Sequence, residues 1–554
     1  MDNSAIADNF SLLAKLIDIH GDDSFKAKSY SSASFTIDKL QVQLSSLPSA
    51  QIFTIKGIGQ TIGKKIQEQL ETNRLSSLDE YILKTPPGVL ELLNIKGLGP
   101  KKIATVWKEL GIESVGELLY ACDENRLMLY KGFGEKTQQN IRESINFYLN
   151  SQGSFLFGKI EPYALAFTEK LQLTFPGKMF EITGDFKRQM EVIDKLQWVT
   201  DAAIQDLSSF FLKNEYEVNT AGEILSAKGS ESVALEFHCV NKNQLLTTLF
   251  QLNASDEFTT AWQQKYGAHL PEGVSSEEQI FQHYQLPFIP ASYRESARAL
   301  AQAQGNKLPK LITTADIKGI IHTHSNWSDG SDTIETMARH AIAQGFEYLV
   351  ISDHSQSAFY ASGLYPDRIV AQHLLIDELN EQLKPFKIFK SIEADILNDG
   401  KLDYPDDILA SFDLVIASVH SNLKMTEEKA MMRLMNAIVN PYTTILGHMT
   451  GRLLLSRGAY PVNYETIIDA CARHKVVIEL NAHSRRLDMD WRQIHKAVEK
   501  GVLISIDPDS HVSTTFSDIR YGVLVAQKAG LTAEQNLSSF SLKEFEDFLG
   551  KRKE

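Results

Sequence analysis

The sequence predicts a multidomain chain of combined α+β and α/β class: a helical first third, a small mixed α+β domain, and a C-terminal barrel of seven strand and helix units. Three observations carry this. At about 150 residues per domain, a chain of 554 residues with 43% apolar content makes three or four domains with separate cores. The apolar pattern changes along the chain, from amphipathic helical stretches to short β-like runs to a regular alternation of strand and helix. In the last part, one apolar run after another ends in His, Asp or Glu.

Charge bounds the possible partners. The net charge is −14, of which residues 1–150 carry only −1 and the remainder −13. So acidic a chain is not an indiscriminate polyanion binder, and contacts with nucleic acid are expected to be local, through basic loops of the first part. The opening MDNSAIADNF is acidic where a secretory signal is basic and then apolar, and no run reaches the 18 apolar residues of a membrane span; the expected location is cytoplasmic. Cys122, Cys239 and Cys471 are too few and scattered for a disulfide framework, and are expected as small buried apolar residues.

In the first third, SAIADNFSLLAKLIDIHG reads as an amphipathic helix, and one short motif occurs in three copies: IKGIG (55–59), IKGLG (95–99) and YKGFG (130–134). Each lies between two helical segments, and the second begins with basic or polar residues: TIGKKI, PKKIATVW, EKTQQNI. A tight glycine hairpin leading into a helix N-terminus presents free amides and a positive dipole end, which suits a phosphate. The motif resembles the helix-hairpin-helix, a binder of the DNA backbone without sequence preference. The candidate DNA contacts are Gly57, Gly59, Lys64 and Lys65; Gly97, Gly99, Lys101 and Lys102; and Gly132, Gly134 and Lys136.

From about 151 to 250 the runs KMFEITGDF, WVTDAAIQDL, EYEVNTAG and SVALEFHCV are β-like and separated by helical stretches, which predicts a small α+β domain. Residues 251–315 add helical pieces, the segment LPFIPASYRES and a polar linker, with a boundary near 312. From 316 on, apolar runs lead to His322 and His324, to Asp353 and His354, to Glu393, to His420, to His448, and to Asp507, Asp509 and His511; VVIEL at 476–480 is the further strand. Parallel strands closed by helices form a barrel, and side chains at their C-terminal ends converge on one mouth. Neutral imidazoles and carboxylates are the donors that Zn, Mn and Fe accept, and a cluster of such ions acidifies water and clamps a phosphoryl oxygen. Arg452 and Arg485 or Arg486, on the same loops, are candidates for the non-bridging phosphate oxygens.

HTHSNWSDG, ISDHS, IEADIL, ASVHS, GHMTGR and DSH resemble the successive motifs of the PHP (polymerase and histidinol phosphatase) metallophosphoesterases, in the version fused to bacterial family X DNA polymerases. The resemblance implies a distorted (βα)7 PHP barrel with three ions, held by His322, His324, Asp329, His354, Glu393, His420, His448, Asp509 and His511, with His322, His324, Asp329, Arg452 and Arg485 in catalytic roles. Met449, where a proline is usual, and Asp507 depart from the pattern without removing a ligand.

The same resemblance covers nearly the whole chain. It implies an N-terminal helical domain (1–85), a fingers-like region (86–150), a polymerase palm (151–240), a thumb-like region with linker (241–312) and the PHP domain (316–554). In the palm, the family's Gly-Ser turn is Gly184-Asp185, its paired aspartates fall at Lys195 and Gln197, and its third carboxylate is Glu236. A lysine where a cation should sit repels it. Glu191 and Asp194, three residues apart, would point to opposite faces of a strand and do not replace the pair. Polymerase activity is therefore expected to be lost. The lyase lysine of animal relatives aligns with Lys65, with Lys26 and Tyr30 as phosphate contacts.

The expected function is a monomeric DNA-repair phosphoesterase working as a 3′ to 5′ exonuclease, 3′-phosphatase or abasic-site endonuclease on gapped or nicked DNA or 3′ ends. The alternatives are a working gap-filling family X polymerase, a DNA-end binding module without catalysis, and a small-molecule phosphatase.

Overall fold

The computed structural model describes residues 1, 3–38, 40, 42–150, 153–229 and 233–553. The chain forms two compact units, Met1–Tyr148 and Leu149–Glu554. Among the described residues no helix is long and apolar enough to cross a membrane.

The first unit is helical. The expected first helix runs Asn3–His20 and buries Phe10, Leu13 and Leu16. Each glycine hairpin leads into a helix, at Gln60–Thr72, Pro100–Lys108 and Glu135–Asn150. Gly57, Gly97 and Gly132 have φ of 94°, 89° and 95°, a region that side chains rarely adopt, so the tight turn demands glycine there. Between the glycines of each hairpin one apolar residue, Ile58, Leu98 or Phe133, is buried as a plug.

Among its described residues the second unit holds two sheets and one short ribbon. In the ribbon β1 (Phe155–Leu156) pairs with β3 (Val192–Ile193). The palm-like sheet contains β2 (Phe180–Thr183), β4 (Lys195–Thr200), β5 (Glu217–Ala221), β6 (Ile224–Lys228) and β7 (Ala234–Cys239), in the order β2-β4-β7-β6-β5. Trp198 stacks on Phe237 across the β4–β7 pair, with ring centroids 5.0 Å apart. WVTDAAIQDL, expected to be β-like, is only half strand: β4 stops at Thr200 and a helix runs Ile204–Lys213. Its Leu207 and Phe211 recur at helical spacing and pack into the core, so the apolar run served two elements.

Seven parallel strands follow: β8 (Gly319–Thr323), β9 (Tyr348–Ile351), β10 (Lys387–Asp395), β11 (Leu414–Ser418), β12 (Thr443–Leu446), β13 (Val477–Asn481) and β14 (Ile504–Asp507), neighbours in sequence being neighbours in the sheet. The end of β8 meets the segment after β14 through the Thr323–Ser510 bridge, and His324 donates its backbone N–H to the Ser510 carbonyl at 2.8 Å. This brings the barrel nearly to closure.

Alternation in the strands separates two apolar layers. Leu349 and Ile351 pack with the surrounding helices, whereas Tyr348, Val350, Phe389, Ile416 and Ile445 form an inner cluster. Phe545 and Leu549 of the last helix, Leu542–Lys553, join that inner cluster. With one end of the barrel filled by carbon, the polar side chains gather at the C-terminal ends of the strands.

Candidate active site

The nine residues expected as ligands meet at that mouth, and all but the half-buried His420 are buried. They fall into overlapping groups whose donor atoms lie within 4.8 Å of one another: His324, Asp329, His354 and His511; His322, Glu393 and His448; His322, His324 and Asp509; His354, Glu393 and His420. Glu393 is central, with Oε1 at 2.9 Å from His448 Nε2 and 3.1 Å from His420 Nε2, and Oε2 at 3.0 Å from His354 Nδ1.

The backbone bends to place them. β8 slips register against β9 between Ile320 and Thr323, and His322 there has φ 59°; Asp509 has φ 52°. Both are non-glycine residues in the left-handed region, which costs about 1–3 kcal/mol each and is sustained only by tight surroundings. Gly330, beyond Asp329, lies so close to the chain that a Cβ would meet the His324 carbonyl oxygen at 2.1 Å.

A second set of residues orients the first. Glu479 on β13 accepts from His322 Nδ1 at 2.5 Å through Oε1 and from the His448 backbone N–H at 2.5 Å through Oε2. Asp395 accepts from His420 Nδ1 at 2.5 Å, and Asn481 donates to Asp509 Oδ2 at 3.0 Å. Asp353 accepts from the Ser325 amide and hydroxyl, Ser328 and Gln372, which pins the loop carrying Asp329. Sequence reasoning passed over Glu479, Asp395 and Asn481. Their signal was weak: Asp395 and Asn481 end their strands and Glu479 lies two residues before the end of β13, places where many strands carry an acid or amide.

Electrostatics at the mouth follow from burial and crowding. Burial opposes a charge on His322, but Glu479, Asp509 and Glu393 outweigh it and hold the imidazole well above its usual range. Burial likewise opposes His420, which Glu393 and Asp395 raise to about 10. His324 goes the other way, pushed down to about 3 by burial and by the neighbouring His354 and His511 rings.

The donor set fits divalent cations. His322 Nε2, Asp329 Oδ2 and Glu393 Oε2 are buried within the cluster without a hydrogen-bond partner. Buried polar atoms of native proteins are almost always satisfied. Lone pairs aimed at one another from several strands are the arrangement a cation completes.

The other expected residues divide. Arg452 does not stand free at the mouth: Nε donates to the Arg486 carbonyl at 2.9 Å, Nη1 to Asp490 at 2.8 Å and Nη2 to the Leu487 carbonyl, so the whole guanidinium braces the 485–490 loop. Arg486 instead reaches the cluster, with Nε 3.6 Å from Asp509 Oδ2, and Arg485 is buried on the same loop. Cys122 and Cys471 are buried as expected, while Cys239 is only half-buried.

In the palm-like sheet, β4 and β7 place Gln197 opposite Glu236. Lys195 Nζ lies 2.9 and 3.0 Å from the two Glu236 oxygens, Gln197 donates to Oε1 at 2.7 Å, and His238 Nε2 is 3.0 Å from it. His238, Lys195 and Gln197 hold the Glu236 carboxyl down at about 2 against the opposing effect of burial. Asp185 pairs with Arg188 at 2.5 Å, and Asp194 accepts from Ser154 at 2.8 Å.

In the first unit Lys64, Lys101 and Lys136 are exposed beside the hairpins. Lys65 donates to Ser77 at 2.7 Å and lies 6.0 Å over the Tyr30 ring. Tyr30, expected at a phosphate, is 7% exposed and stacks on Phe10, which makes it a core residue.

Comparison with known proteins agrees with this geometry. Residues 1–75 match the helix-hairpin-helix domain family, 89–146 the SAM-like helix-hairpin-helix tandem, and 321–483 the PHP domain. The DNA polymerase/3′-5′ exonuclease PolX of Bacillus subtilis is 32% identical over 97% of this chain and 97% of its own length. A probable phosphatase of Thermoanaerobacter is 29% identical over 39% of this chain and 89% of its own, and one of Aeromonas hydrophila 27% over 42% and 93%. A full-length relationship of this kind, with helix-hairpin-helix and PHP domains in order, means that the chain belongs to the bacterial family X DNA polymerases that carry a PHP domain.

Proposed function

We propose that the chain is a metal-dependent PHP phosphoesterase acting on DNA as a 3′ to 5′ exonuclease, 3′-phosphatase or abasic-site endonuclease, with its polymerase activity lost. The observation that carries this is the contrast between buried, unsatisfied donors at the barrel mouth and a palm carboxylate already engaged by Lys195, Gln197 and His238. Three divalent ions, Zn, Mn or Fe, would be held by His322, His324, Asp329, His354, Glu393, His420, His448, Asp509 and His511. Such ions, when bound, polarise a phosphoryl oxygen and supply an acidified water. Glu479 holds the proton on His322 Nδ1 and so leaves Nε2 as the donor, and Asp395 does the same for His420. Arg485 and Arg486 would steady phosphate oxygens. Gly57, Gly59, Gly97, Gly99, Gly132 and Gly134, with Lys64, Lys65, Lys101, Lys102 and Lys136, would hold the DNA backbone of gapped or nicked substrates. The five segments read from the sequence serve as helical domain, fingers, palm, thumb and PHP domain of a cytoplasmic monomer. Lys65 would contact phosphate, and it is the position at which lyase chemistry would be tested.

The test is a denaturing gel of 5′-labelled primer on a gapped template with Mn and all four dNTPs. Shortening that His322→Ala reduces to background is expected. Lengthening would overturn the loss of polymerase activity, and an unchanged primer would sink the nuclease reading.

A further inference from the structure

One carboxylate of the palm-like domain, Glu191, points away from its sheet toward the barrel. Glu191 precedes β3, and its backbone carbonyl accepts from the Phe157 amide at 3.1 Å. Its side chain leaves the palm-like sheet altogether and is 7% exposed, with Oε1 3.3 Å from Arg492 Nη1 and 3.9 Å from Arg452 Nη2. Both arginines belong to the barrel. Around them the seam is tight: a Cβ on Gly158 would meet the Tyr521 ring at 2.7 Å, and Gln189, Met190, Leu487 and Leu524 line a cleft too small for more than a water.

The two arginines grip one loop. Arg452 donates to the carbonyls of Arg486 and Leu487, and both Arg452 and Arg492 bind Asp490. That loop is tied directly to the mouth. Asp488 accepts from the Asn481 and Thr450 amides, at 2.5 Å through its carbonyl and 2.9 Å through its carboxylate. Met489 donates to the Glu479 carbonyl at 3.1 Å, and Arg486 approaches Asp509. Glu479 in turn holds His322 and His448. A path of ion pairs, hydrogen bonds and the loop's own backbone thus runs from a palm carboxylate to the cluster, and its first link is a charge from outside the barrel that faces two arginines.

We propose that Glu191 is a positioning residue for the phosphoesterase site: the palm-like domain is retained as the brace that fixes the 481–490 loop, and with it Arg486 and Glu479, at the barrel mouth. This rests on the phosphoesterase reading above. Removing the Glu191 charge leaves Asp490 as the carboxylate that Arg452 and Arg492 share, loosens the loop that Arg452 holds by the Arg486 and Leu487 carbonyls, and lowers turnover more than substrate binding, since the DNA-binding hairpins are untouched.

The experiment uses the full chain as wild type, Glu191→Gln and Glu191→Asp. Steady-state cleavage of a 3′-end oligonucleotide in Mn is measured beside native-state hydrogen exchange. The expected result for Glu191→Gln is a fall in kcat of about 10- to 100-fold, the usual cost of losing an orienting partner, with KM changed by less than about 3-fold. Amides of residues 481–490 should exchange at least about 10-fold faster while those of β10 and β11 do not. Glu191→Asp, which keeps the charge, should recover most of both. Wild-type kcat in the Gln variant, unchanged exchange in the loop, or losses that spread evenly over the barrel in both variants would each overturn the proposal. A wild-type chain without cleavage that His322→Ala removes would instead sink the phosphoesterase reading, and the proposal with it.

Discussion

The palm-like sheet and the PHP barrel each gather charged side chains at strand ends, but they resolve the gathering in opposite ways. At Glu236 every negative oxygen has a donor from the chain itself: Lys195, Gln197 and His238 complete it within 3.0 Å. At Glu393 the neighbours are other ligand-type side chains, and one oxygen is buried without a hydrogen-bond partner. The difference teaches how a carboxylate satisfied by its own chain is told from a cluster that a cation would complete. A working site keeps acceptors in excess of its own donors, at a cost in stability that a bound cation offsets. A carboxylate paired within the chain, as Glu236 is with Lys195, keeps no such excess.

This comparison can be broken, and the sharpest way is to remove cations. Ions that bind only the folded state at 100 to 1,000 times their Kd stabilise it by about 3–4 kcal/mol. Stripping the chain with a chelator is therefore expected to lower the thermal midpoint of the second unit by several degrees, read by calorimetry and restored by Mn. An unmoved midpoint would mean that the barrel mouth, like the palm, is satisfied without a cation.

Next in size is Glu479→Gln. The amide can still accept from the His448 backbone, but it no longer carries the charge that fixes the His322 tautomer. Cation affinity or cleavage should fall about 10- to 100-fold, measured by titration calorimetry and by the labelled primer assay. A loss below about 2-fold would show that His322 is oriented by its own strained backbone alone.

The smallest effect belongs to the palm and depends on pH. Glu236 is held at about 2 in the folded chain against an ordinary 4.5. Its folded value lies below its unfolded one, so its contribution is complete above about 4.5 and is lost as pH falls toward 2. Wild type should exceed Glu236→Gln by about 1–2 kcal/mol at pH 7, with the gap closing between pH 4.5 and 2, in denaturant titrations. A gap independent of pH would mean that Lys195 contributes by packing and not by charge. Cleavage by Glu236→Gln should match wild type throughout.

Much of this was legible in the sequence, for identifiable reasons. The barrel showed because parallel strands buried on both faces read as continuous apolar runs, and because their ends carry histidines too regularly for chance. The hairpins showed because a positive φ leaves almost no choice but glycine, and three copies repeat that requirement. The expectation of a lost palm site rests on Lys195, since a lysine at a cation position reverses the sign of the field there. WVTDAAIQDL misled because a strand and a helix, joined without a break in apolar residues, have no period in common.

The chain's own residues were enough to determine the number and order of its strands in the barrel, the histidines and acids at their ends and the three hairpins, since each rests on local pattern or on one residue's conformational limits, while the full set of nine with Asp329 came from the family resemblance. Only tertiary structure decided which arginine faces the cluster and which is committed to a loop, that Glu479 and Asp395 stand behind the histidines, that Tyr30 lies in a core, and that the final helix fills the closed end of the barrel. Those are relations between groups from 20 residues apart, as Phe10 and Tyr30 are, to more than 150, as His322 and Glu479 are at 157. Periodicity reports which way a side chain faces along its own element, but its partner is set by where other elements pack.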